Sequence, residues 1–179
     1  MNRIRPLVVR FSVLALSLVL LGCDSLRTVN VDIESETLVE SGGFLGSVFT
    51  QFGFDDFVSF DVSQSAEFKN NDATRGNIGE SYVTGFVLEV ISPQGNTLSF
   101  IDDLEIYIGD GSTKLQVAYI DESQDTDVSR LALKVFDESD IGKYLRAEAT
   151  TVEVNAKGTP PSEDTQIRAT LSLSIQLQL

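Results

Sequence analysis

The sequence predicts an all-β protein, an antiparallel β-sandwich of immunoglobulin-like type with about eight or nine strands. Apolar and polar residues alternate with a period of two in many runs, and turn signals separate these runs at short intervals. No segment longer than about ten residues has the 3.6-residue periodicity of an amphipathic helix. A small closed β-barrel is the alternative architecture, since it shows the same alternation.

The predicted strands of the first half follow this alternation. Val29, Val31 and Ile33 are separated by polar residues, and Val58, Phe60 and Val62 repeat the pattern. One-sided burial of a strand explains such runs, because successive side chains point to opposite faces of a sheet. Residues 82–91 are instead apolar on both faces, which predicts a central strand.

Among the predicted strands of the second half, the last shows the clearest alternation of apolar and polar residues in the chain. Further strands are predicted over residues 104–108, 115–120, 128–136 and 144–154, and the last over residues 167–179, where every second residue is apolar.

Turn signals join these strands. Ser92-Pro93-Gln94-Gly95 fits a type I turn with Pro in its second position. Gly109-Asp110-Gly111 predicts a hairpin, and residues 157–165 predict an exposed connection. Residues 137–140 are predicted to cap a single helical turn before the strand that begins at Tyr144.

Composition excludes several classes of function. The 13 basic and 27 acidic side chains give a net charge of −14, which argues against a nucleic-acid partner. Because the chain has no His, it has no Cys/His zinc site and no imidazole base, and its single Cys forms no intramolecular disulfide. No Gly-x-Ser-x-Gly or Ser-x-x-Lys motif is present. We therefore expect a protein that is not an enzyme and needs no cofactor.

The N-terminus has the composition of a secretory signal peptide. Arg3, Arg5 and Arg10 form a positive region without acidic residues, and an apolar stretch over residues 11–21 follows, interrupted by Ser12 and Ser17. This stretch is too short to cross a bilayer, which takes about 20 apolar residues as a helix. It fits the apolar region of a signal peptide.

The motif Leu20-Leu21-Gly22-Cys23 resembles the lipobox of bacterial lipoprotein precursors. The resemblance implies that residues 1–22 are a signal peptide, that cleavage precedes Cys23, and that the thiol and the new amino group receive acyl chains such as palmitate. Residues 23–179 would then be a single β-sandwich domain. The chain would be lipid-anchored in a bacterial cell envelope, to the inner or outer membrane, facing the periplasm or the exterior.

Cleavage at this site would raise the negative charge of the protein. It would leave 10 basic and 27 acidic side chains, or a net charge of −17. Anionic lipid headgroups repel such a domain, so the acyl chains would have to hold it at the membrane.

Phenylalanine is concentrated in one segment. Seven of the eleven Phe residues fall between residues 44 and 68. The segment over residues 44–60 either contacts an apolar ligand, partner or bilayer, or covers one open end of the sandwich. The candidate apolar contacts are Phe44, Phe49, Phe52, Phe54 and Phe57.

An acidic loop is the candidate cation site. Asp121, Glu122, Asp125 and Asp127 are dense enough in sequence to supply oxygen ligands to Ca²⁺. They do not follow the spacing of an EF-hand, and charged turns are also what any solvated loop shows.

The sequence thus favours a non-catalytic binding or scaffolding protein of the envelope. The run from Leu104 through Pro160-Pro161 to the last strand is loosely similar to uncharacterised envelope lipoproteins with sandwich domains. A carrier of an apolar ligand and a Ca²⁺-dependent adhesion module are the alternatives. The expected partners are the membrane, through the lipid anchor, and an unknown envelope protein or ligand.

Overall fold

The computed structural model describes residues 26–41 and 60–178, which form two packed antiparallel sheets. The strands are β1 (Leu26–Val39), β2 (Ile78–Ser92), β3 (Ile101–Gly109), β4 (Lys114–Tyr119), β5 (Arg130–Ala132), β6 (Lys134–Val135), β7 (Thr151–Gly158) and β8 (Thr165–Gln178). Two short α-helices, α1 (Ala66–Asn70) and α2 (Gly142–Leu145), and two 3-10 helices (Val62–Gln64 and Arg75–Asn77) lie between them. The sheet orders are β1-β8-β2-β5 and β6-β4-β3-β7.

The predicted antiparallel β-sandwich is confirmed. The two four-stranded sheets are open and do not close into a barrel. In an antibody constant domain the first strand pairs with the second, whereas here the first strand pairs with the last. Among the described strands, the chain passes from one sheet to the other after β2, β4, β5 and β7.

Strand β8 lies inside the first sheet and is paired along both edges. It pairs with β1 from Leu26↔Gln178 to Val39↔Thr165, and with β2 from Ile78↔Leu177 to Ser92↔Gln166. The predicted alternation of this strand is confirmed. Its completely buried apolar side chains are Ile167, Ala169, Leu171, Leu173, Ile175 and Leu177. Strand β2 lies between β8 and β5, so the prediction of a central strand over residues 82–91 is also confirmed.

The sandwich has two ends, which we name by residue. The Leu26 end is where β1 begins and β8 ends, and the Thr165 end is where β8 begins and β1 ends. Phe68 of α1 is fully buried, and Arg27 at the start of β1 donates to Asn71 Oδ1 at 2.6 Å. Helix α1 therefore packs at the Leu26 end and covers part of the core there.

The predicted strand through Val58, Phe60 and Val62 is wrong within the described residues, which do not include Val58. Phe60 makes an isolated antiparallel bridge to Thr150, and Val62 begins a 3-10 helix. The Asp61 carboxylate accepts hydrogen bonds from Ser63 N at 3.0 Å and from Ser63 Oγ at 2.6 Å. This local side-chain hydrogen bonding favours a turn over an extended chain.

The predicted strand over residues 144–154 begins later than expected. Tyr144 belongs to α2, and β7 begins only at Thr151. Asp140 Oδ1 accepts hydrogen bonds from Ser81 N at 2.9 Å and Gly142 N at 2.8 Å, which turns the chain into α2. The helical turn predicted to follow residues 137–140 is thus present as α2, but it includes Tyr144, where the strand was predicted to begin.

The predicted strand over residues 128–136 is divided between the two sheets. Strand β5 pairs with β2, and β6 pairs with β4. Leu131 and Leu133 are both buried although the chain crosses from one sheet to the other between them. Apolar and polar residues alternate in the same way in one continuous strand and in two short strands that follow each other directly. The sequence pattern therefore did not show that the chain crosses from one sheet to the other here.

Two predicted turns have different outcomes. The hairpin at Gly109-Asp110-Gly111 is confirmed, since Gly109 pairs with Lys114. The turn predicted at Ser92 is displaced by one residue, because Asn96 N donates to Pro93 O at 3.3 Å. Gly95 has φ of 94°, a left-handed conformation that glycine adopts without steric cost.

Gly158 lies where two backbones approach too closely for any side chain. A Cβ at this position would overlap the carbonyl oxygen of Phe100. We expect Gly158→Ala to lower the free energy of unfolding by about 1–3 kcal/mol, measured by urea denaturation. Gly85→Ala is the matched control, because its Cβ would lie 3.7 Å from Ser172 Cβ, an ordinary contact. Equal effects of the two substitutions would contradict this account.

Candidate functional site

A cleft of about 360 Å³ opens at the Thr165 end of the sandwich. It lies between the β2–β3 connection and the β7–β8 connection. Its polar lining residues are Asn96, Thr97, Ser99, Asp127, Thr159, Ser162 and Thr165, and its other lining residues are Gly95, Phe100, Pro160 and Pro161. The volume falls in the range of small-molecule sites.

The first wall of the cleft is held by buried apolar anchors. Leu98 is fully buried, and its amide donates to Val128 O at 2.9 Å. Phe100 is also buried in the core. Because Leu98 and Phe100 point inward, Thr97 and Ser99 on either side of Leu98 are left on the lining of the cleft.

The second wall leaves the sheet immediately after β7. Thr159 N donates to Phe100 O at 2.9 Å, which joins the two walls. Pro160 is exposed and Pro161 is buried. Proline has no amide proton to continue a strand and its φ is fixed, so this wall is stiff.

Side-chain hydrogen bonds fix the polar groups at the base of the cleft. Thr165 is completely buried; its Oγ1 accepts from Asn96 Nδ2 at 3.1 Å and donates to Glu163 O at 2.9 Å. Thr97 Oγ1 lies 3.0 Å from Ser99 Oγ and 2.9 Å from Asp127 Oδ1. These contacts arrange an amide, three hydroxyls and a carboxylate before any ligand binds.

The charge at this end is negative. Asp127 is the one acidic side chain of the lining, which contains no Lys or Arg. Asp164, in the same connection as Pro161, accepts hydrogen bonds from Ser41 N at 2.9 Å and Ser41 Oγ at 3.0 Å. These bonds lower the pKa of the Asp164 carboxyl, because they stabilise its charged form.

Two of the four predicted Ca²⁺ ligands, Asp121 and Asp125, accept hydrogen bonds within their own loop. Asp121 accepts from Ser123 N at 2.9 Å and Ser123 Oγ at 2.5 Å, which lowers its pKa. Asp125 Oδ1 accepts from Asp127 N at 2.9 Å, and Glu122 is exposed. Over residues 26–41 and 60–178, no three acidic side chains are grouped as a metal site requires.

Two other predicted sites lie outside the described residues. These are the lipidation site Cys23 and the apolar contacts Phe44, Phe49, Phe52, Phe54 and Phe57. Among the later phenylalanines, Phe60 is partly buried against the core and Phe68 is fully buried. No helix within the described part of the chain is long and apolar enough to cross a bilayer.

The cleft was not predicted from the sequence. Local patterns indicate a turn at residues 92–95 and an exposed connection over residues 157–165, but they do not show that these two segments meet. The available signal was the density of hydroxyl residues in both, at Thr97, Ser99, Thr159 and Ser162. Asp127 was identified, but as a cation ligand rather than as part of this lining.

Comparison with known proteins does not assign a family. No protein-family model and no curated protein matches the chain. The solved structure of Desmodium yellow mottle tymovirus aligns with 100% of this chain and 97% of its own, at 9% sequence identity and a TM-score of 0.26. A likeness at that score carries no conclusion about fold or function.

An ion pair lies at the Leu26 end of the sandwich, opposite the cleft. Arg75 Nη2 donates to Asp61 Oδ2 at 2.6 Å, and Arg75 Nε donates to Asp61 Oδ1 at 3.1 Å. The guanidinium, together with the Ser63 hydrogen bonds, holds the pKa of the Asp61 carboxyl well below its usual range. The Asp61 side chain is 20% exposed, so solvent weakens this pair only in part.

The Asp61 pair predicts a pH-dependent stability. A carboxyl whose pKa is lower in the folded state stabilises the fold above its unfolded pKa of about 4, and this contribution is lost as the pH falls below that value. We expect Asp61→Asn to lower the free energy of unfolding by about 1 kcal/mol at pH 7, with the difference shrinking below pH of about 4.

Urea denaturation between neutral and acidic pH measures this difference. Glu122→Gln, at an exposed position, is the charge-matched control and should leave the profile of the wild type unchanged. A difference between Asp61→Asn and wild type that grows as the pH falls would refute the assignment.

Proposed function

We propose that this chain is a lipid-anchored protein of the bacterial cell envelope whose β-sandwich is a non-catalytic binding module. The observation that carries the proposal is the short distance between the lipobox and the fold. Strand β1 begins at Leu26, three residues after Cys23. Three residues reach at most about 11 Å, so an acylated Cys23 holds the Leu26 end against the membrane surface.

This tether directs the cleft away from the membrane. Strand β1 has 14 residues and runs from the Leu26 end to the Thr165 end. At about 3.3 Å per residue, the cleft lies roughly 40 Å from the anchored end. A ligand in the aqueous phase or on a facing surface therefore reaches it without contacting the lipid.

The charge distribution supports the same orientation. Asp127 lines the cleft, and Asp125 and Asp164 lie beside it, so the Thr165 end is acidic. Anionic headgroups repel acidic surfaces, and the repulsion decays within about 10 Å at ordinary ionic strength. Holding the acidic end away from the bilayer reduces this electrostatic repulsion for a domain that is strongly negative overall.

The groups in the cleft support binding rather than catalysis. Its lining offers hydroxyls, an amide and the Asp127 carboxylate. The chain has no His, so no imidazole can activate the Thr97 or Ser99 hydroxyl as a nucleophile. Preformed hydrogen-bonding groups in a small cleft are the features of a recognition site.

Metabolic labelling with an alkyne analogue of palmitate tests the anchor in bacteria that express the full chain. We expect wild-type protein to be labelled and to sediment with membranes, and Cys23→Ser to lose the label, because the acyl chain is attached to that thiol. Ser25→Ala is the control and should behave as wild type. Recovery of wild-type protein with residues 1–22 attached and no acyl mass would refute the proposal.

A further inference from the structure

We propose that the cleft at the Thr165 end binds a neutral saccharide. The inference deepens the proposed function, since it names the ligand of the binding module, but it does not depend on lipidation. It rests on three properties of the cleft: the chemistry of its lining, the sign of its charge and its stiffness.

The lining matches the chemistry of a polyhydroxylated ligand. A sugar hydroxyl both donates and accepts, and protein hydroxyls, amides and carboxylates meet both requirements. Thr159 and Ser162 add hydroxyls from one wall to those of Thr97 and Ser99 on the other. Asp127 supplies a charged acceptor, which forms the stronger class of hydrogen bond with a ligand hydroxyl.

The charge of the cleft argues against anionic ligands. No Lys or Arg lines it, and Asp127 would repel a phosphate or carboxylate group. A divalent cation is disfavoured as well, because within the described residues no three acidic side chains form a ligand set. A neutral ligand avoids both difficulties. A basic peptide is the competing class of ligand. The lining offers only one carboxylate to its positive charges, and most of the other polar groups are hydroxyls.

The polar groups and the walls of the cleft are held in place by hydrogen bonds before a ligand binds. Thr165 and Asn96 are fixed by the 3.1 Å hydrogen bond between them, and the walls are joined by the Thr159 N to Phe100 O bond of 2.9 Å. Little conformational entropy is then lost when a ligand binds. Because neutral hydrogen bonds contribute little each, we expect a dissociation constant of about 0.1–1 mM for a disaccharide.

Amide chemical shifts of the full chain, purified in detergent, test the proposal. The probes are maltose, cellobiose and N,N′-diacetylchitobiose as neutral disaccharides, digalacturonate as an anionic one, and trilysine as a basic peptide. We expect at least one neutral disaccharide to shift the amides of Asn96, Thr97 and Thr159 at millimolar concentration. Digalacturonate should bind at least about tenfold more weakly because of the Asp127 charge.

Two variants locate the site and one controls for charge. Asp127→Asn should weaken binding about tenfold, since it removes the charged acceptor. Ser162→Tyr, at an exposed position, should abolish binding by filling the cleft even if the first variant is poorly folded. Asp102→Asn removes an exposed carboxylate that does not line the cleft and should bind as wild type.

Three results would overturn the inference. These are no shift with any neutral disaccharide, equal binding of digalacturonate, and shifts with trilysine but not with the disaccharides. Each is independent of acylation, because palmitate labelling in cells is a separate readout. A failed titration therefore refutes the ligand, whereas a failed labelling refutes the anchor.

Discussion

Strand β8 is hydrogen-bonded along both edges, to β1 and to β2, and the rest of the fold depends on this pairing. Its inward side chains are completely buried, so a shift of one residue would place a row of aliphatic groups in water and a row of polar groups in the core. The burial pattern thus fixes the register of three strands at once. The second sheet packs its own aliphatic face, with Ile106 and Ile108 fully buried, against this one.

The same register places the two ends of the sandwich far apart. Because β1 and β8 run past each other over their whole lengths, the residues nearest Cys23 lie at one end and Thr165 lies at the other. The Leu26 end has short helices and the Asp61–Arg75 pair, and the Thr165 end has the cleft. The proposed anchor and the proposed binding site would therefore lie at opposite ends of the sandwich.

Sequence alone was sufficient for the features that depend on alternation and on turns. Strand β8, the central position of β2 and the Gly109 hairpin could be predicted because each has a local signal. The crossing between β5 and β6 could not be predicted, since Leu131 and Leu133 stay buried on both sides of it. Val62 and Tyr144 were assigned to strands because hydrophobicity does not show that Asp61 and Asp140 bind nearby amides and turn the chain. The cleft is lined by residues of three connections, β2–β3, β4–β5 and β7–β8, and which connections meet is a property of topology.

Hydrogen exchange of the β8 amides tests the central claim most directly. If the pairing of β8 with both neighbours organises the sandwich, the amides from Ile167 to Ile175 should exchange most slowly among the described residues, at rates set by global unfolding. Amides of the short strands β5 and β6 should exchange faster through local opening. Exchange of the β8 amides as fast as those of β5 would contradict the account.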